Sequence, residues 1–506
     1  MTSGESGPDA VDAWDAPSAL AARVEKSATA LVAVARTLRR APELAPDAAA
    51  FLELFDRVAD LPPDAFTRVW STDPGTYLWT HRAFDLVAAC VGGAPLTPEL
   101  GEYARALGLE TARATLAHHL EDFKGIALAA HLDAGRDCRF ATPWTVALPW
   151  AIPGRALAIE GAGRVRITGL AAGAIEILDG GRRVAVAPRP ARAETATAAD
   201  DATAPTLRSC PVVRHAGCEI RLQPQAFHLP GIDCAEPVLA AGVAYQEAHR
   251  SDVVDALALV ARFHPETMAQ MRAYLHVIAL KPRAAGGFTN LTHSDLPGAF
   301  IAGMVRNPAE LADTFIHEMH HGRLFALEDL GPLFDQAARD ALYDERYYSP
   351  WRDDPRPLRG ILHGVYVYVP VCVYWQRLLA SGALAGDAAA YALDRVLRIR
   401  LQLELGLDQL ETHAVLTPRG RALLDRVRTE LEVIRARIAA ARLPADAPAL
   451  VCAEDGGIHP ERGADGHALS VRAAVHTHAA RADRLPGRDR ATPLVGSDRA
   501  ADPAPR

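Results

Sequence analysis

Two imidazoles stand four residues apart in His317-Glu318-Met319-His320-His321. On a helix such a pair projects from one face, one turn above the other, and both rings can bind one metal ion. Glu318, beside the first of them, is then in reach of a water on that ion and can take its proton. This pattern arises by chance in a chain of this length only on the order of a few per cent of the time. The ordinary alternative is a surface helix rich in histidine. Local context favours the metal. Asn307-Pro308 reads as a helix start, and Leu311, Phe315, Ile316 and Met319 supply an apolar stripe.

Two ligands do not make a working site; a third must come from elsewhere and leave a position open. The metzincin continuation would place a glycine and a histidine where this chain has Leu324 and Leu327, which excludes that class. A gluzincin takes a glutamate from a later helix. Glu328 reads as too close, so Glu345 is the carboxylate candidate, with a surface ion pair as its ordinary role. The nitrogen candidate is His363, set among Ile361, Leu362, Val365 and Val367. A histidine on an apolar face is more often a core residue than a ligand, but an incomplete metal site in the same domain strengthens its claim. The segment leading to it, Ser349–Gly360, holds Arg352, Arg356 and Arg359 among prolines. Guanidinium forks suit carboxylates, so these arginines read either as a carboxylate clamp beside the metal or as partners of Asp353 and Asp354. Asn290, Thr292, His293 and Ser294 read as a turn or as the lining of a cleft.

Around these residues the chain predicts an α+β fold, predominantly helical. Residues 1–17 read as a disordered N-terminus and 18–137 as a helical domain, with Thr97-Pro98 as a capped helix start. The pair His118-His119 reads as solvent-facing, since adjacent residues on a helix do not face one another. Residues 138–234 alternate apolar and polar residues and predict a small β-rich region, with Asp179-Gly-Gly as a hairpin turn. Residues 235–443 carry the metal motif. One helix is expected over 238–263, strands near 274–280 and 299–305, and helices near 360–382, 386–415 and 418–442. A strand followed by an HExxH helix is the zincin order, in which the edge strand binds extended peptide by strand addition. Residues 444–506 are polar and poor in large apolar side chains, and are expected to be a largely disordered tail.

The net charge of -8 makes no case for nucleic acid or an anionic membrane. Lysine occurs only at Lys26, Lys124 and Lys281, so arginine does nearly all the cationic work. Seven scattered cysteines form no C-x-x-C pair and support neither a thiolate zinc site nor a disulfide framework. The first residues lack the basic and apolar regions of a secretory signal, and no apolar run is long enough to span a bilayer. A cytoplasmic location is the expectation.

Ser294, Pro297-Gly298, the Leu311–His321 segment and Tyr348-Ser-Pro-Trp-Arg-Asp-Asp-Pro-Arg-Pro-Leu-Arg-Gly-Ile-Leu-His-Gly-Val-Tyr together resemble the HExxH motif-containing peptide modification proteins. The likeness covers roughly residues 235–440, and the Trp-Arg…His-Gly block is its specific part. The resemblance implies maturation of a ribosomally made precursor peptide, often beside a radical-SAM maturase. It implies an Fe(II) and 2-oxoglutarate dependent β-hydroxylation of a peptide side chain. Carried over, His317, His321 and His363 would be metal ligands, Glu318 a catalytic acid or base, and Arg352, Arg356 or Arg359 the anchor of the 2-oxoglutarate carboxylate. A set of three histidines departs from the usual two-histidine, one-carboxylate iron triad. The motif by itself favours the alternative, a zinc metallopeptidase with Glu318 as general base.

Overall fold

The computed structural model describes residues 16–482 apart from 162, 180–181, 187–204, 225, 228–237, 240–241, 283–289, 336–345, 353 and 454. The fold is α+β and mostly helical. It opens with α1 (Ala16–Arg40), α2 (Ala45–Ala59), α3 (Pro63–Thr72), α4 (Pro74–Gly92), α5 (Pro98–Ala106), α6 (Ala112–Glu121) and α7 (Phe123–Ala134). The capped start of α5 is as predicted: the Leu100 N–H donates to Thr97 Oγ1 at 3.3 Å. The histidine pair on α6 divides. His118 is exposed, but His119 is buried, stacked on Trp79, with its Nε2 2.8 Å from the Trp79 carbonyl and its Nδ1 3.1 Å from the Tyr103 hydroxyl. Adjacent positions lie about 100° apart on a helix, so one can face the core while the other faces water.

Strands β1 (Cys138–Ala147), β2 (Trp150–Ala151), β3 (Leu157–Glu160), β4 (Arg164–Ala171), β5 (Ala174–Asp179), β6 (Arg182–Val186) and β7 (Thr206–Ser209) follow. They form an antiparallel sheet in the order β1-β4-β5-β6 and a smaller one, β2-β3-β7. The helices and these strands share one core, in which Phe51 and Phe123 lie with Trp144, Ile167 and Ile177. At the junction α7 comes so near the sheet that a Cβ on Gly125 would sit 2.7 Å from the Trp144 ring. Residues 18–137 and the strands to 209 are therefore one packed unit rather than two.

Next come β8 (Val212–His215), β9 (Cys218–Leu222), β10 (Ala226–Phe227), β11 (Val238–Leu239), α8 (Val243–Ala248), α9 (Arg250–Phe263), α10 (Pro265–Tyr274), β12 (Val277–Lys281) and β13 (Ala299–Gly303). The single helix expected over 238–263 is a short strand and two helices, which meet at His249. The sheet order is β13-β12-β9-β8, with β12 parallel to both β13 and β9. Strands β8 and β9, expected within the β-rich region, thus belong to the metal-motif domain. Their alternating Val213, Ile220 and Leu222 bury against Leu257 and Ile278 in the second core.

Helices α11 (Pro308–Asp329), α12 (Leu358–Ala380), α13 (Gly386–His413) and α14 (Pro418–Ala440) complete that core, close to the predicted spans. The expected tail from 444 instead begins with a hairpin, β14 (Leu450–Cys452) and β15 (Ile458–Pro460), and then α15 (Val471–Ala482). Ala447 and Val471 are buried with Leu397 of α13. Small apolar residues do this packing, which is why a shortage of large ones read as disorder. Residues 483–506 lie outside the described residues. Among the described residues no helix is long and apolar enough to cross a membrane.

Candidate metal centre

The Asn307 side chain starts α11: its Oδ1 accepts from the N–H groups of Ala309 at 3.0 Å and Glu310 at 3.4 Å, with Pro308 in the first turn. Leu311, Phe315, Ile316 and Met319 bury fully, as their spacing predicts. That burial fixes the rotation of α11 and turns His317 and His321 together toward α12. Their Nε2 atoms lie 3.1 Å apart. Two nitrogens bound to one ion at about 2.0–2.1 Å, at angles between about 90° and 109°, stand roughly 2.9–3.4 Å apart. The pair is therefore spaced for a shared ion, and both residues are half-buried. Burial holds His317 down to about 4 and His321 well below the ordinary imidazole range. Both are neutral at pH 7, the form that binds metal. One turn before His317, Asp313 is fixed by Trp375 Nε1 and Arg395 Nη2, each at 2.6 Å.

His363, on α12, is buried and comes to this pair, but from behind. Its Nδ1 lies 3.1 Å from Nδ1 of His321, on the other side of that ring from His317. Its Nε2 faces Glu328 Oε2 at a long 3.5 Å. Glu328 is held by two nitrogens of Arg359, at 2.9 and 2.5 Å. Burial by itself would raise the Glu328 carboxyl, but Arg359 and His363 outweigh it and hold it at about 2. An ionised Glu328 favours a proton on His363 Nε2. His363 Nδ1 then accepts from the Nδ1–H of His321, and the lone pair of His321 Nε2 is left facing His317. At 3.5 Å the Glu328–His363 link is electrostatic rather than a hydrogen bond, and through it the chain Arg359–Glu328–His363–His321 favours the tautomer a ligand needs. Among the described residues no three His, Cys, Asp or Glu side chains converge on one point. Glu345, the carboxylate candidate, lies outside the described residues, as does Asp353.

Glu318 is buried on the neighbouring face of α11. The Thr292 hydroxyl donates to its Oε2 at 2.6 Å. Burial pushes the carboxyl up to about 7, and the Thr292 hydrogen bond only partly offsets this. The polar cluster before β13 thus packs as a turn against α11 and β13. Asn290 Oδ1 accepts from the Gly303 N–H at 3.0 Å, and Leu291 pairs with Ile301 through two backbone hydrogen bonds of 2.9 and 2.8 Å. The outer edge of β13 is thereby covered at Ile301.

The arginines separate. Arg352 bonds Asp354 at 2.7 Å near the surface, and Arg359 is committed to Glu328. Arg356 is buried, with its Nε 3.1 Å from Asp354 Oδ2, and its charge lowers His321 further. Trp351 anchors the loop that carries them. Its indole stacks on Tyr368, with centroids 5.3 Å apart and planes 5° apart, and the Tyr368 ring stands edge-on to His317 at 4.8 Å. Gly364 and Gly406 make room for that indole: a Cβ at either would come within 2.6 Å of it.

Sequence reasoning set Glu328 aside as too close to be a ligand without seeing its place behind His363, and it missed the grip of Thr292 on Glu318. The first had a signal, because Glu328 follows His321 by seven residues, two helical turns on the same face. The second is a tertiary contact with none. No family model matches the chain. No curated protein matches it either.

Proposed function

We propose that this chain is a metal-dependent peptide-modifying enzyme in which His317 and His321 hold Fe(II), 2-oxoglutarate is cosubstrate, and a side chain of a ribosomally made precursor peptide is hydroxylated at its β-carbon. The observation that carries the metal is the pair of neutral Nε2 atoms 3.1 Å apart. The family resemblance of the Trp351–His363 block supplies the reaction class. It also suggests a radical-SAM maturase as a pathway partner. Iron with the keto acid would supply oxidation of an unactivated C–H bond, a task beyond protein side chains.

The chain's own residues do the rest. Glu328 and His363 orient His321, so His363 serves here as a positioning residue in place of a third ligand. Arg356 suits the 2-oxoglutarate carboxylate: it is buried in the arginine loop and its charge is felt at His321. Glu318 holds or takes a proton beside the pair. The succession of β13 and α11 follows the zincin order, with the peptide lying outside the Leu291 segment rather than on β13 itself.

A second reading keeps its own support. A buried Glu318 raised to about 7 is suited to act as general base, as in a zinc peptidase. One experiment separates the two. The protein is loaded anaerobically with Fe(II), then given 2-oxoglutarate, oxygen and a panel of short candidate precursor peptides. Succinate release with one oxygen atom added to an intact peptide is expected. A cleaved peptide carrying no added oxygen overturns the oxygenase and supports the peptidase.

A further inference from the structure

About a quarter turn around α11 from the histidine pair, His320 faces a separate cavity of about 210 Å³ between α10, α11, α12 and α14. At roughly 30 Å³ per water this space would hold about seven waters, or a ligand of about ten non-hydrogen atoms. His320 is 5% exposed, and its Nδ1 lies 2.8 Å from the Ile316 carbonyl. That bond takes the Nδ1 proton and leaves Nε2, which has no protein partner among the described residues, as an acceptor toward the cavity.

Two more acceptors belong to residues that line the cavity. Gln270 Oε1 is buried without a hydrogen-bond partner. Pro370, inside α12, has no N–H, so the Tyr366 carbonyl loses its helical donor four residues on. One donor balances them. His264 Nδ1 accepts from the Thr267 N–H at 3.3 Å, which leaves the proton of a neutral His264 on Nε2. Arg323 and Arg426 bring positive charge to the cavity and Glu430 brings negative charge, while Val369, Val373, Leu423 and Val427 form an aliphatic wall.

Acceptors, guanidinium groups and an aliphatic wall lining one cavity describe one ligand chemistry. An ammonium offers several N–H donors, a carboxylate meets arginine, and a branched hydrocarbon fills the apolar side. We propose that this cavity is a binding site for a free aliphatic α-amino acid of about the size of leucine, distinct from the metal centre. The site needs no metal and does not depend on the reaction assigned above.

Isothermal titration and saturation-transfer NMR of the full chain with L-leucine test it. Isocaproate, which lacks the ammonium, and isopentylamine, which lacks the carboxylate, are the controls. Leucine is expected to bind saturably and each control at least tenfold more weakly, since a hydrogen bond to a charged group contributes about 1.5–3 kcal/mol. Val427→Trp, which fills the cavity from α14, should abolish leucine binding and leave metal content unchanged. Gln270→Leu should weaken leucine about tenfold while barely affecting isocaproate. No saturable leucine binding at millimolar concentration overturns the proposal. So does leucine binding that survives Val427→Trp in a folded protein, or controls that bind as well as leucine.

Discussion

Replacing Gly364 by alanine should change the sign of its effect with the residue at 351. The nearest atoms to a Cβ at Gly364 all belong to the Trp351 indole, two of them at 2.6 Å. Carbon–carbon contacts rest at about 3.5–4.0 Å, so the ring must retreat by about 1 Å. It has little freedom to do so, because it lies parallel to Tyr368 and abuts Gly406. Overpacking of this kind costs about 1–3 kcal/mol. In a Trp351→Ala background the obstruction is gone, and alanine in mid-helix is better than glycine by about 0.5–1 kcal/mol. Gly364→Ala is therefore expected to destabilise the native protein and to stabilise the Trp351→Ala variant, a coupling of about 2–4 kcal/mol. Denaturant unfolding of the four proteins measures it, read by near-ultraviolet circular dichroism. An equal cost in both backgrounds would refute the wedge and, with it, the claim that Trp351 seats the arginine loop.

The buried His119 titrates near 3 in the fold against 6.5 for an ordinary histidine, because burial disfavours its charge. Its contribution is full above pH 6.5 and falls as the unfolded chain takes up the proton, by about 2 kcal/mol between pH 6.5 and 5. A His119→Phe variant should show a shallower loss of unfolding free energy over that interval, and equal slopes would contradict the assignment. Glu328→Gln should weaken metal affinity about 10–100-fold in competition with a chelator, with partial rescue by Glu328→Asp. Unchanged affinity would remove the relay behind His321. On the same reasoning His363→Ala should weaken metal retention without abolishing it, and complete loss would make His363 a ligand. Arg23→Met leaves Asp329 without its buried partner and should cost about 2–4 kcal/mol, reduced from the fully buried case by solvent at Asp329. A transition within error of the parent would show that the pair contributes nothing.

The metal helix was the most legible part of the chain. Its cap, its proline start and its apolar stripe are local, so residues 307–321 carry their own instructions. The long helices α12 to α14 were legible for the same reason. What could not be read were contacts between distant segments. Whether His363 meets His321 by its front or its rear nitrogen depends on how α12 crosses α11. That β8 and β9 join β12 depends on a parallel pairing more than fifty residues away in sequence. His119 was misread because a pair of histidines was judged as a unit, although the helical period gives each residue its own direction. Residues 444–482 were misread because alanine carries little weight in a hydrophobic pattern yet packs well where helices come close.

Arg23 of α1 reaches Asp329 at the far end of α11 and donates to the Ser294 carbonyl at 2.9 Å. Val24 beside it packs against both cores. One turn of the first helix is thus a keystone between the two halves of the molecule. The domain that bears the metal motif is not a portable cassette: a natural fusion or a laboratory transplant that carried residues 235–443 elsewhere would leave the rear of α11 and the turn at Ser294 unsupported. Swapping specificity between homologues of this chain should therefore succeed by exchanging the arginine loop within an intact protein, and fail by exchanging the whole domain.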